Sequence, residues 1–291
     1  MDDQILRPIT EHETRIPCAD GVVLCATITR CDDANHAVLI SSGTGFPQSY
    51  YFALARYFAA RGAIAMVYDY RGIGASVTAA ALNTADIPDW GALDLAACID
   101  WLQTAAPDRP LFHVGHSVGG HLVGFARNVG AIRRHAFVAV GSGTWWRHPP
   151  SRWPVELYFW WGIGAINLTG STYIKPGFGW AGEALPGPAF RTWRRWSHSH
   201  RYYRDFIETS EHAKDFAAVD APIRSWIFTD DPIANPKSAQ DIFDCYPNAD
   251  KSIALTQPAD FNLRRIGHEG AFKERCAPLW DQWRAWLLDG L

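Results

Sequence analysis

Three short segments of this 291-residue chain carry residue types that could together break or transfer an acyl bond: Gly115-His116-Ser117-Val118-Gly119, Thr229-Asp230-Asp231-Pro232 and Gly267-His268-Glu269-Gly270. The first is a G-x-S-x-G pentapeptide. A serine hydroxyl is a weak nucleophile at neutral pH, so it needs a base to take its proton and an acid to orient that base. Serine, aspartate and histidine follow one another along the chain in an order known for such a device. The expectation is Ser117 as nucleophile, His268 as general base and Asp231 as the orienting acid. Asp230 competes for the last role; Asp231 is preferred because it stands just past a predicted strand end, ahead of a Pro-Ile turn. About one chain in ten of this length holds such a pentapeptide by chance, and a lone histidine among eleven is usually solvated or structural. The weight therefore rests on the order of the three and on their placement at strand ends.

An acyl transfer also builds negative charge on an oxygen, which two backbone N–H groups must meet. Val118, directly after the nucleophile, and Thr44, in the loop Ser42-Gly43-Thr44-Gly45-Phe46-Pro47, are the expected donors. Aromatic residues concentrate between about 145 and 215. Trp145, Trp146, Trp153, Trp160, Trp161, Trp180, Trp193 and Trp196 are eight of the chain's fourteen tryptophans. One reading has most of them build the core of a small lid with little regular structure and dock it on the sheet. The sharper expectation is that some line a pocket above Ser117, and Trp145, Trp146, Trp160 and Trp161, with His116, are the candidates for substrate contact. Arg147, Arg191, Arg194, Arg195 and Arg201 lie among them; one turned inward would favour a substrate carboxylate.

Elements able to hold these groups can be read from the apolar pattern. Residues 14–18 and 22–29 read as a hairpin about Ala19-Asp20-Gly21. Apolar runs at 37–41, 63–70, 110–116 and 135–142 alternate with helix-period segments at 48–61, 89–105 and 117–130, as strands buried on both faces of a parallel sheet do. The alternation stops, then resumes with strands at 222–228 and 252–256 and helices at 236–245 and 270–288. This predicts an α/β core of residues 1–144 and 216–291 interrupted by a cap at 145–215.

Lys+Arg 27 against Asp+Glu 30 calls for neither nucleic acid nor an anionic membrane as partner. Val155 to Leu168 is the longest apolar stretch and falls short of the ~20 residues of a membrane span. Six scattered cysteines without a C-x-x-C pair, and an acidic, polar start to the sequence, predict reduced thiols and a cytoplasmic protein. No metal is expected: His198-Ser199-His200, and His113 with His116, are read as surface or pocket residues. No cofactor is expected either. Gly43-Thr44-Gly45 followed by Asp69 suggests a dinucleotide site, but Gln48 stands where its third glycine belongs, and Asp69 and Arg71 read better as a structural turn.

GHSVGG, the Asp69-Tyr70-Arg71-Gly72-Ile73-Gly74-Ala75-Ser76 run, SSGTGFP, DDPIAN and GHEGAF together resemble the α/β-hydrolase superfamily. The likeness is to a bacterial branch related to the serine aminopeptidase and monoacylglycerol-lipase types. It covers nearly the whole chain and implies an eight-stranded, mostly parallel sheet flanked by helices, with a cap after the sixth strand and Ser117, Asp231 and His268 as the triad. Ser42-Gly43 replaces the usual His-Gly of the oxyanion loop. The expected function is carboxylic-ester hydrolysis on a small to medium apolar or aromatic substrate. An acyltransferase using the same acyl-enzyme is the alternative, and a non-catalytic or dinucleotide-binding α/β protein a remote one.

Overall fold

The computed structural model describes residues 6–176 and 182–291, so Trp180 lies outside the described residues. Eight strands form one sheet: β1 (Thr10–Pro17), β2 (Val23–Arg30), β3 (His36–Ser41), β4 (Ala63–Tyr68), β5 (Leu111–His116), β6 (Ile132–Val138), β7 (Ile223–Phe228) and β8 (Lys251–Thr256). Their order across the sheet is β1-β2-β4-β3-β5-β6-β7-β8. β1 pairs antiparallel with β2, and β2 antiparallel with β4. Every other pairing is parallel. The continuous apolar runs are explained by burial: every residue of β3, β4 and β5 is buried. One face of the sheet is covered by a core that includes Trp90, Leu95, Ile99 and Phe125, the other by one that includes Tyr51, Phe58, Trp280 and Trp283.

Three elements differ from the sequence expectation. The sixth strand begins and ends earlier than 135–142, because the chain leaves the sheet at Ala139, whose φ is +52°. The helix expected over 117–130 is one turn, Val118–His121, followed by short 3₁₀ turns. Its glycines serve close packing instead: a Cβ on Gly119 would stand 2.5 Å from the Ser41 carbonyl oxygen, and one on Gly124 would strike the Phe216 ring. Each glycine also costs about 1 kcal/mol of helix propensity. The last helix spans Ala277–Leu288, with two 3₁₀ turns filling the stretch from Gly270.

Between β6 and β7 the described residues are mostly in short helices, with one antiparallel pair, Tyr173–Ile174 on Leu185–Pro186. Trp153–Leu157 runs through a π-helical turn, Tyr158–Ile163, into Gly164–Gly170; Gly187–Ser197, Arg204–Glu208 and Ala213–Ala217 follow. Here Phe159, Trp160, Phe190 and Trp193 form one aromatic cluster. Trp196, Tyr202, Tyr203 and Phe206 form a second. All six cysteines are buried and unbridged. Among the described residues no helix is long and apolar enough to cross a membrane.

Candidate active site

β5 ends at His116, and the next residue turns the chain back at φ +48°, ψ −117°, a conformation a side chain rarely adopts. The sheet holds it there, since the Ser117 N–H donates to the Val138 carbonyl at 3.0 Å. A Cβ at Gly115 would approach the Gly120 nitrogen to 2.8 Å, so the glycines flanking the serine permit a turn this tight.

Loops after β7 and β8 converge on the serine. His268 Nε2 stands 3.1 Å from Ser117 Oγ, and His268 Nδ1 stands 2.9 Å from Asp231 Oδ2. The Asp231 side chain is fully buried, and its other oxygen accepts the N–H groups of Ile233 at 2.7 Å and Ala234 at 3.0 Å. Asp230 turns the other way and accepts from Ile266 at 2.9 Å and Gly267 at 3.1 Å. One aspartate thus reaches the imidazole, while its neighbour holds the loop that carries it. Burial by itself lowers the His268 pKa, but the Asp231 carboxylate, through charge and hydrogen bond, and Glu269 through charge outweigh it; the pKa stands above the ordinary imidazole value. Arg152 pulls the other way.

Gly43-Thr44-Gly45-Phe46 is a β-turn closed by Phe46 N–H to the Gly43 carbonyl at 3.2 Å, with Gly45 at φ +74°. The Gly43 N–H is occupied, donating to Tyr51 Oη at 2.8 Å. The N–H groups of Thr44 and Val118 have no backbone or side-chain acceptor among the described residues. Both residues line, with Ser117 and His268, a chamber of about 120 Å³.

His116, expected at the pocket, is fully buried and lines neither chamber beside the serine. Its Nε2 lies 3.0 Å from the His268 carbonyl oxygen and its Nδ1 2.7 Å from Tyr51 Oη. A carbonyl only accepts, so Nε2 carries the proton and Nδ1 accepts from the tyrosine. Burial, reinforced by repulsion from His268, lowers the His116 pKa to about 3, which keeps the ring neutral. A continuous chain therefore runs from Gly43 through Tyr51 and His116 to the histidine loop. Nothing in the spacing of Tyr51 marks it as part of this chain.

A second chamber of about 280 Å³ adjoins the first and shares Thr44, Phe46, Gly143, Trp193, Ile233 and Glu269 with it. Of the tryptophans expected to contact substrate, Trp160 lines this second chamber. Trp145 packs on Trp146 and Trp153 away from both chambers, and Trp161 is exposed and stacked under Arg194. Trp193 lines both chambers. The arginine that reaches the second chamber is Arg152, while Arg147 pairs with Asp241, and Arg201 with Asp205 and Glu208.

The rival readings meet occupied groups. Asp69 is buried and accepts from the Gln48 and Ala75 backbones and the Gln48 side chain, leaving it committed to its own turn. Arg71 is clamped between Asp94 and Asp20. His198 accepts from Trp161 and donates to the Arg194 carbonyl.

Residues 32–168 match the family model described as serine aminopeptidase, S33. No curated protein matches the chain. Among solved structures it is similar to a monoglyceride lipase from Saccharomyces cerevisiae (15% identity, TM-score 0.63, 97% of this chain and 95% of that one). It is also similar to the Pyrococcus furiosus esterase Pf2001 (14% identity, TM-score 0.55, 96% and 94%). A third similar structure is the α/β hydrolase GrgF from a Penicillium species (17% identity, TM-score 0.61, 96% and 98%).

Proposed function

We propose that this chain, which has the α/β-hydrolase fold, is a serine hydrolase that works through an acyl-enzyme on carboxylic esters of small to medium size. The line from Ser117 Oγ through His268 to a buried Asp231, with contacts of 3.1 and 2.9 Å, carries the reading.

In the proposed sequence His268 takes the serine proton as Oγ attacks the ester carbonyl, and Asp231 stabilises the imidazolium that results. The N–H groups of Thr44 and Val118 meet the oxygen on which charge develops. The protonated histidine then gives its proton to the leaving alcohol, and water repeats the cycle on the acyl-serine. The strained backbone at Ser117 holds Oγ toward His268 before any substrate arrives, so little reorganisation is left for the reaction. Apolar walls formed by Phe46, Trp193 and Ile233 support an apolar or aromatic substrate group beside the serine.

The test is labelling with a fluorophosphonate, beside hydrolysis of p-nitrophenyl esters of graded chain length. Wild type should label at Ser117 and release p-nitrophenol, and Ser117→Ala should do neither while unfolding at an unchanged temperature. An Ser117→Ala variant that still turns over esters removes the proposal.

A further inference from the structure

We propose that a third chamber, beside the catalytic histidine, receives an anionic group carried on the alcohol portion of the ester, with a phosphate monoester as its match. The inference rests on the serine-hydrolase reading. The chamber has a volume of about 320 Å³ and shares Ile233, His268 and Glu269 with the one that holds Ser117. Its walls include none of Ser117, Thr44 and Val118. They include Arg265, Lys273 and Arg275, from the stretch that carries His268, and Arg152, from the segment between β6 and β7. Arg152 is paired with Glu156. The side chains of Arg265, Lys273 and Arg275 are exposed and make no ion pair or hydrogen bond among the described residues. Glu269 is the one carboxylate on these walls among the described residues.

The chain as a whole carries a formal charge of −3, so three uncompensated cations around one hollow are a local feature and not general basicity. A concave wall of one sign concentrates its field and draws in the opposite charge. Position decides which half of the ester bears that charge. The acyl carbon must sit at Ser117 with its oxygen toward Thr44 and Val118, and the apolar walls of the first two chambers suit the acyl chain. The leaving oxygen must reach His268, which protonates it, and the third chamber opens on that side. An anion there therefore departs with the alcohol. Glu269 lines all three chambers, which sets its charge at their junction and repels an anion placed close to the ester bond. The anion belongs on a spacer that carries it past Glu269 to the three cations. A phosphate monoester, at about −1.5 to −2, balances more of their charge than a carboxylate does, and two of the three are arginines, whose planar forks take phosphate oxygens in pairs.

The experiment measures kcat/KM, by release of butyrate, for butyrate monoesters of α,ω-diols of graded length whose far end carries a phosphate, a carboxylate or a neutral methyl ether. Methyl esters of ω-phospho acids form a further arm, with the anion on the acyl side. We expect the phosphate to exceed the methyl ether by about tenfold or more at one spacer length in dilute buffer. Because the cations are exposed, that ratio should shrink toward unity as ionic strength rises to about 0.5 M. It should also approach unity in a variant combining Arg265→Gln, Lys273→Gln and Arg275→Gln. Equal rates for phosphate and methyl ether at every length overturn the inference, as does a preference that survives the triple substitution. A carboxylate that matches the phosphate overturns the phosphate assignment, and an equal gain from a phosphate on the acyl side overturns the placement on the alcohol. Should the variant fail to fold, the wild-type ratio and its response to salt decide alone. If the methyl-ether esters turn over and Ser117 labels, a negative result leaves the hydrolase reading standing; if neither happens, that reading falls and takes this one with it.

Discussion

Asp230 and Asp231 are adjacent carboxylates with opposite assignments, and the difference is testable because each is tied to a different partner. Asp231 touches the imidazole at 2.9 Å, so Asp231→Asn presents an amide that favours the wrong tautomer. A loss of kcat on the order of 10³–10⁴ is expected. Asp230 holds the backbone of Ile266 and Gly267; Asp230→Asn keeps part of that bonding and should cost about tenfold at most, with a lower melting temperature. Steady-state kinetics on the two variants check this, and the reverse ranking would exchange the roles. The pH profile follows from the same neighbourhood. Acylation needs neutral His268, so activity should rise through an apparent pKa above the ~6.5 of a free imidazole, because Asp231 and Glu269 outweigh burial and Arg152. Arg152→Gln removes a lowering influence and should move the limb to higher pH, and Glu269→Gln should move it lower; a limb below 6.5 in wild type contradicts the assignment. Ser117, His268 and both aspartates could be read from sequence because strand ends and chain order are local signals. His116 could not, because its neighbours Tyr51 and the His268 carbonyl lie 65 and 152 positions away along the chain.

At the scale of elements, apolar runs identified the strands well, since burial on both faces leaves an uninterrupted signature. The helix after Ser117 was overestimated because glycines chosen for contact with Ser41, Val140 and Phe216 look, in sequence, like tolerated positions in a longer helix. The segment between β6 and β7 was underestimated for the opposite reason. It is crowded with proline and glycine, but Pro154 and Pro188 sit in the first turns of helices, where a missing N–H costs nothing. That geometry sorts the tryptophans. Trp196 is 2% exposed among Tyr202, Tyr203 and Phe206, so Trp196→Ala should cost about 3–5 kcal/mol of stability. Trp193, which lines both chambers, should on truncation raise KM or shift chain-length preference with a smaller stability loss. Thermal unfolding and a p-nitrophenyl ester series on the two variants separate the effects. Unaltered KM and preference in Trp193→Ala would place specificity outside this segment.

The whole molecule carries an unusual load of buried neutral imidazole, and its stability should depend on pH accordingly. Burial lowers the pKa of His36 to about 4 and of His116, His121 and His135 to about 3, and places His113 well below its ordinary value. Below ~6.5 the unfolded chain takes protons that these five refuse while folded. The stability they contribute is therefore present above that pH and is lost as pH falls toward their folded values. Each contributes up to ~1.4 kcal/mol per pH unit. Three carboxylates act in the opposite sense: burial raises Asp94 to about 6 and also lifts Asp69 and Asp86, so their folded forms take protons before the unfolded chain does. Asp94 offsets one of the five below pH 6, and Asp69 and Asp86 act in the same sense as the pH falls further, so the histidines outnumber the groups that oppose them. His268 does not join the histidines, because its pKa is raised; the stability it contributes is present below ~6.5 and fades as pH rises through its folded value. Against a total stability of ~5–15 kcal/mol, the acid side is the steep one. The melting temperature should fall by about 10 °C or more between pH 7 and pH 5, a range in which activity is also declining as His268 protonates. Returning samples from pH 5 to pH 8 distinguishes the two causes, since protonation of a folded enzyme reverses at once and unfolding refolds slowly or aggregates. A melting temperature flat across that range would mean that the buried imidazoles find proton acceptors on charging, and that the polar core is more adaptable than its burial implies.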